Sequence, residues 1–317
     1  MSEPHDIDGV LVQWGDRLFY PGNRIVRDRG QPRLTTFATR ARAAFLRARI
    51  AATVVRRAPQ VMVKVTGGGR GMQAITAHLR YISKNGRLPM ENERGELERG
   101  RSAVRDVAEE WRFGGALIPE VSHRREAHNI LLSMPRGLDP AILVCAAREF
   151  AQTELAGHKY VMVLHDHQAN PHVHISVRAE SRSGRRLNPR KADLQRWRET
   201  FAEKLRGWGI DAEASRQAVR GESRNYPPLW RIKAREEGRE RKAFASHKSG
   251  ARVSASRAEA GQAWSRLAAV LSASAERSDR DLAVAIGRQI EQQRRQVRVQ
   301  DRNVSVQSQG RDLGRSR

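Results

Sequence analysis

The sequence predicts an α/β core flanked by basic helical extensions. Two observations carry this. Between about residues 60 and 215, short apolar runs bounded by glycine, proline or asparagine alternate with segments that carry helix start and stop signals. On both sides of that region the chain is rich in Ala, Arg, Glu and Gln in helix-forming proportions, with no strand signal. A chain of 317 residues with 39% hydrophobic content holds one core domain and extensions. The expected division is a basic N-terminal extension over 1–59, a core domain over 60–215, and a basic helical tail over 216–317 that turns polar and disordered from Gln300.

The elements follow in order. The spacing predicts a basic helix from Thr36 to Arg57, either solvated or in contact with nucleic acid. Val61-Met62-Val63-Lys64-Val65 reads as a strand, broken by Gly67-Gly68-Gly69. A helix from Met72 to Lys84 ends at Asn85-Gly86. Residues 87–102 read as a charged loop, and His128 to Met134 as a second strand closed by Pro135. Asp139 is a candidate N-cap, with Pro140 at the first helical position and Gly157 beyond the end. Tyr160–His165 and His172–Val177 are almost continuously apolar apart from their histidines, the pattern of sheet strands covered on both faces. A helix beginning at Asn188-Pro189 carries Leu194, Trp197, Phe201 and Leu205 as a core stripe.

The net charge is +24, which points to a polyanionic partner because each phosphate contact releases condensed counterions. The single cysteine, Cys145, excludes an internal disulfide and a cysteine-rich zinc site, and its apolar helical context predicts a small core residue. No run of about 18 apolar residues is present, so no membrane span is predicted. The polar, acidic start from Met1 to Asp8 does not resemble a secretory signal, and a cytoplasmic protein is expected.

Four of the ten histidines fall within ten positions, His165, His167, His172 and His174. Strand alternation puts His172 and His174 on one face, about 6.6 Å apart. If residues 166–171 close an antiparallel hairpin, His165 lies opposite His172 and shares that face. Three imidazoles with remaining positions open make a catalytic rather than a structural metal site. Imidazole suits zinc and also accepts manganese and other divalent ions. Asp166 and His167, in the loop, are candidates to orient a ligand histidine, or simply solvated residues.

A metal site in a basic chain suggests phosphodiester chemistry, and a covalent route needs a nucleophile. Of Tyr20, Tyr81, Tyr160 and Tyr226, only Tyr81 sits on the helix after the glycine break, one face-neighbour from His78. Arg80 and Lys84, one turn apart on that helix, are candidates for holding phosphate. On spacing alone a packed aromatic is the favoured reading of Tyr81.

The string Val65 to Gly86, the string His128 to Gly137 and the cluster His165 to Ile175 together resemble the relaxase/mobilisation nucleases. These belong to the histidine–hydrophobe–histidine (HUH) endonuclease superfamily, and the likeness is to its P-type plasmid mobilisation members, which include the transfer-DNA border nucleases. The resemblance spans about residues 60–215. It implies an antiparallel central sheet of about five strands flanked by helices, with Tyr81 as nucleophile and His165, His172 and His174 as ligands of a divalent ion, Mg or Mn. It assigns a DNA contact to Ser133, in Leu132-Ser133-Met134-Pro135. The family usually has Asp two residues after its first histidine. Here that position is His167, with Asp166 beside it. Arg178, Arg185, Arg186, Arg190 and Lys191, following the histidine strand, are further DNA-binding candidates.

The resemblance implies a site- and strand-specific DNA-nicking enzyme acting at a transfer origin through a 5′-phosphotyrosyl intermediate. Its partners would be DNA, single-stranded at the nick, relaxosome accessory proteins and a secretion-system coupling protein. The setting would be the bacterial cytoplasm, with possible passage alongside DNA into a recipient. Two alternatives stand beside it. A non-catalytic basic nucleic-acid-binding protein with a structural metal predicts affinity without cleavage. A rolling-circle replication initiator shares the chemistry but usually has the reverse order of tyrosine and histidines.

Overall fold

The computed structural model describes residues 7–20, 36–166, 170–222, 224, 229–239 and 248–312. The chain divides into two compact units, Met1–Arg57 with Ser215–Arg317, and Ala58–Ala214.

The first unit opens with α1 (Ile7–Phe19) and α2 (Thr36–Val54). The second unit contains β1 (Met62–Gly67), α3 (Met72–Ile82), β2 (Met90–Asn92), β3 (Leu97–Glu98), α4 (Arg101–Phe113), β4 (Ala127–Ser133), α5 (Pro140–Glu154), β5 (His158–His165), β6 (His172–Ser181) and α6 (Lys191–Gly207). The chain returns to the first unit with α7 (Leu229–Glu236), α8 (Ala251–Ser272) and α9 (Arg277–Asp312).

In the second unit one antiparallel sheet runs in the order β1-β4-β6-β5-β2-β3. The α/β class and the helix-flanked antiparallel sheet match the expectation. Among the described residues the sheet has six strands rather than about five. Two of them, the short β2 and β3, are not among the four strands read from the sequence and lie within the segment expected to be a charged loop. Their residues, Met90-Glu91-Asn92 and Leu97-Glu98, are too short and too charged for period-two patterning to reveal them. Tertiary pairing of Glu91 with Met162 supplies what local sequence does not.

The sheet separates two apolar layers. On one face Val63, Ile130, Leu132, Val173, Ile175 and Val177 pack beneath α5 and α6, against Phe150, Trp197, Phe201 and Leu205. Each fully buried side chain of this size contributes about 1.5–3 kcal/mol. The expected punctuation of α5 is present, with Asp139 accepting from the Ala141 amide at 2.8 Å and Pro140 in the first turn. On the other face α3 and α4 cover Val161, Val163 and Ala127 with Ile75, Leu79, Ile82, Val104, Val107 and Trp111. Cys145 is only half-buried, because it lies at the edge of the α5 stripe rather than in its centre.

In the first unit α1, α2, α8 and α9 share a core in which Leu11, Leu46, Ile50, Leu267 and Ile286 surround Trp264. The Trp264 indole donates to the Val219 carbonyl at 2.8 Å. Among the described residues no helix is long and apolar enough to cross a membrane.

Candidate active site

β6 is a central strand, flanked by β4 and β5. Its alternation sends Val173, Ile175 and Val177 to the α5–α6 face. His172 and His174 therefore go to the opposite face, the one covered by α3 and α4. The hairpin register pairs His165 directly with His172. The three rings stand 4.6–5.1 Å apart by centroid, all buried, and one nitrogen from each lies within 4.8 Å of the others.

The hydrogen bonds of these rings suit metal ligation. His165 donates from Nε2 to the Ile82 carbonyl at 2.7 Å, and His172 from Nδ1 to the Asn170 carbonyl at 3.0 Å. A carbonyl only accepts, so these contacts place the proton and leave the lone pair on the other nitrogen in the neutral ring. His174 Nδ1 is buried with no hydrogen-bond partner among the described residues. Desolvation, with the neighbouring imidazoles, lowers its pKa to about 3. Three buried imidazoles are the donor set a divalent transition ion takes, and the orphaned nitrogen is an atom that such a setting would otherwise penalise.

Tyr81 reaches this face through α3. Gly68 lets the chain leave β1 closely, since a Cβ there would sit 2.2 Å from the Ala127 carbonyl oxygen. α3 buries Met72, Ile75, Leu79 and Ile82 and leaves Tyr81 65% exposed. The exposure overturns the packed-aromatic reading of that residue. Its ring is nevertheless 6.3 Å from that of His174 and 6.2 Å from that of His78, by centroid. The His165 bond to Ile82 ties the residue following Tyr81 to the histidine cluster. The end of α3 is fixed by the Ser83 hydroxyl, which donates to the Leu79 carbonyl at 2.7 Å, and by left-handed Lys84, Asn85 and Gly86.

His78 is a site neighbour that sequence reasoning does not single out, although its spacing from Tyr81 is visible there. Its ring lies 6.4 Å from that of His174, and its Nε2 is buried without a partner among the described residues. Burial lowers its pKa to about 4.

The remaining candidates separate. Ser133 shares the histidine face, paired with His172, but its hydroxyl is buried and donates to the Pro171 carbonyl at 3.1 Å. Arg178 is not at the surface: it is 3% exposed and donates to the carbonyls of Gly114 and Ala116. Its position late in a central strand explains the difference, because both faces of β6 are covered there. Arg186 pairs with Glu126 and Glu180, whereas Arg185, Arg190 and Lys191 are exposed. Arg80 and Lys84 are exposed near Tyr81 in sequence, and Asp166 is exposed at the hairpin. His167 lies outside the described residues, as does Tyr226.

Residues 81–210 match the family model described as relaxase, MobA/VirD2-like, nuclease domain. The T-DNA border endonuclease VirD2 of Agrobacterium fabrum is 25% identical over 183 residues, which cover 51% of this chain and 41% of that protein. This chain thus spans about two fifths of the length of that relative. A solved chain described as "Molecular Basis of Vancomycin Resistance Transfer in Staphylococcus aureus" is 14% identical with a TM-score of 0.31, covering 50% of this chain and 99% of its own. The matched stretch runs from Tyr81 through the histidine hairpin to just beyond α6, so the part of the sheet unit that holds the candidate site is similar to the nuclease domain of MobA/VirD2-like relaxases.

Proposed function

We propose that this chain is a DNA-nicking relaxase in which Tyr81 attacks one phosphodiester at a transfer origin and remains attached to the 5′ side of the break. The observation that carries this reading is the exposed Tyr81 ring beside His174, on the sheet face that gathers His165, His172 and His174.

The three histidines would hold one divalent ion, Mg or Mn. When bound, it supplies a Lewis acid that draws charge from a non-bridging phosphate oxygen. The chain's own residues do the rest. α3 presents the Tyr81 hydroxyl to solvent, where it can shed its proton, and the His165–Ile82 bond holds that helix end at a fixed place beside the cluster. The Tyr81 oxygen forms a bond to phosphorus, the bond from phosphorus to the 3′ oxygen breaks, and the departing strand takes a proton as a free 3′-OH. The phosphotyrosyl bond retains the energy of the diester, so a 3′-OH can reverse the step and rejoin the strand without a nucleotide triphosphate. In this reading the role is conjugative mobilisation in the bacterial cytoplasm, with relaxosome accessory proteins and a coupling protein as partners.

The test is Tyr81→Phe. The residue is exposed, so removal of its hydroxyl should change stability by no more than about 0.5 kcal/mol. Wild type incubated with Mn²⁺ and supercoiled plasmid bearing its own origin should give a nick with protein attached, visible after denaturation. The Phe variant should bind DNA and give none. A normal adduct yield from Tyr81→Phe would overturn the assignment.

A further inference from the structure

A cleft of about 380 Å³ lies between the end of α3 and the first turn of α4, lined by Arg80, Asn85, Arg101, Val104 and Arg105. Its location is set by glycine. A Cβ on Gly86 would meet the Gly100 backbone at 2.3 Å, so the turn after α3 packs directly on the start of α4. That close approach brings Arg80 toward the two arginines of α4, which lie more than twenty residues further along the chain.

The charge in this cleft is unbalanced. No acidic residue lines it, and none of the three guanidinium groups has a hydrogen bond or ion pair among the described residues. Several other arginines of the same unit are paired, among them Arg94 with Glu96, Arg112 with Glu120, Arg124 with Glu126, Arg148 with Glu91 and Arg196 with Glu154, so what distinguishes the cleft is that three unpaired guanidinium groups line one hollow. Even Glu109, one turn beyond Arg105 on α4, makes no ion pair with it.

The placement is locally unfavourable. Arg101 occupies the first residue of α4, where the helix dipole disfavours a cation, and Arg105 repeats the charge one turn on. α4 also has no acidic residue in its first turn and no side-chain cap, which leaves its amino end electropositive. Three planar donors and an uncapped helix start, gathered without a carboxylate, complement a tetrahedral anion with oxygens on several sides.

We propose that this cleft binds a backbone phosphate of the DNA strand presented to Tyr81, at a nucleotide other than the scissile one. The proposal rests on the relaxase reading, and it names an interaction that fixes the strand's register. Arg80 is the residue before the nucleophile, so a phosphate held there constrains which neighbouring phosphate can reach the Tyr81 hydroxyl.

The test uses the full chain and a fluorescein-labelled single-stranded oligonucleotide of mixed sequence, with binding read by anisotropy across a salt series. Arg80→Gln, Arg101→Gln and Arg105→Gln are made singly and together. A control triple, Arg136→Gln, Arg252→Gln and Arg288→Gln, removes the same charge from positions elsewhere on the chain. The cleft triple should lower the slope of log affinity against log salt by about 0.7 for each phosphate no longer neutralised, and weaken binding by about tenfold or more. The control triple should leave the slope unchanged. Any variant whose melt differs from wild type is replaced by the single substitutions, each expected to move the slope in the same direction. Inorganic phosphate is titrated in parallel. If phosphate binds but the oligonucleotide slope is the same in wild type and cleft variants, the cleft takes a free anion and the proposal fails. A wild-type slope in the cleft triple, or no binding of the oligonucleotide by wild type, also overturns it. The relaxase reading is tested separately, by the adduct yield of Tyr81→Phe, a variant that should bind the oligonucleotide as wild type does.

Discussion

His174→Ala probes the centre of the candidate site. His174 sits on the central strand between Leu131 and Val163, and both neighbouring histidine rings lie within about 5 Å of it. Its removal leaves two imidazoles, each oriented by a backbone carbonyl but without a third donor. Loss of a residue that only orients a ligand typically costs 10–100-fold in metal affinity, so loss of a ligand itself should cost at least about 100-fold. The magnitude can be read in a melt. At a Mn²⁺ concentration about 100 times the wild-type Kd, ligand linkage stabilises the fold by about 2.7 kcal/mol. At the same concentration a variant binding about 100-fold more weakly gains only about 0.4 kcal/mol. The metal-dependent rise in Tm should therefore shrink by roughly 5–9 °C for a unit of this size. Excess Mn²⁺ should restore both the shift and part of the cleavage. Calorimetric titration gives the affinity directly, and His172→Ala and His165→Ala should behave alike. A variant that keeps the full Mn²⁺-dependent shift would refute the three-histidine site.

Other outcomes follow from the same geometry. In chelated protein, the pKa of His174 lies near 3 and that of His78 near 4, against an ordinary 6.5. Below about pH 6.5 the unfolded chain takes up protons that the folded chain does not, so stability is full above that pH and falls as pH drops. His174 alone should account for about 2 kcal/mol by pH 5, and a flat melting temperature from pH 7 to 5 would contradict a buried neutral ring. Arg178→Gln should destabilise the sheet unit by about 2–4 kcal/mol, because the carbonyls of Gly114 and Ala116 are left without their donor, and it should not alter the salt slope of DNA binding. A changed slope with an unchanged melt would restore Arg178 as a DNA-binding residue. A fragment of residues 58–214, expressed alone, should fold and bind Mn²⁺ with the affinity of the full chain. Failure to fold would show that this compact unit needs the rest of the chain.

The histidine face was legible in the residues alone. Strand alternation along His172–Val177 separates His172 and His174 from Val173 and Ile175, and a hairpin closed across the short polar loop, which the structure has, places His165 opposite His172. Helix punctuation was equally legible, at Asp139-Pro140 and at Asn85-Gly86, because caps and left-handed turns are set by a few adjacent residues. Whatever depends on partners distant in sequence was settled by the packed fold. β2 and β3 exist because Glu91 and Asn92 pair with β5, an interaction that their own charged composition conceals. Arg178 looks like one of a run of basic residues, and only the Gly114 and Ala116 carbonyls across the fold make it interior. Arg101 and Arg105 could not be joined to Arg80 from sequence, since the close approach of Gly86 to Gly100 brings the two helix ends together. Tyr81 shows the division within one residue. Its place on an amphipathic helix was readable, but its nearness to His174 was not. That depends on α3 lying across the face of the sheet that β6 alternation assigns to the histidines.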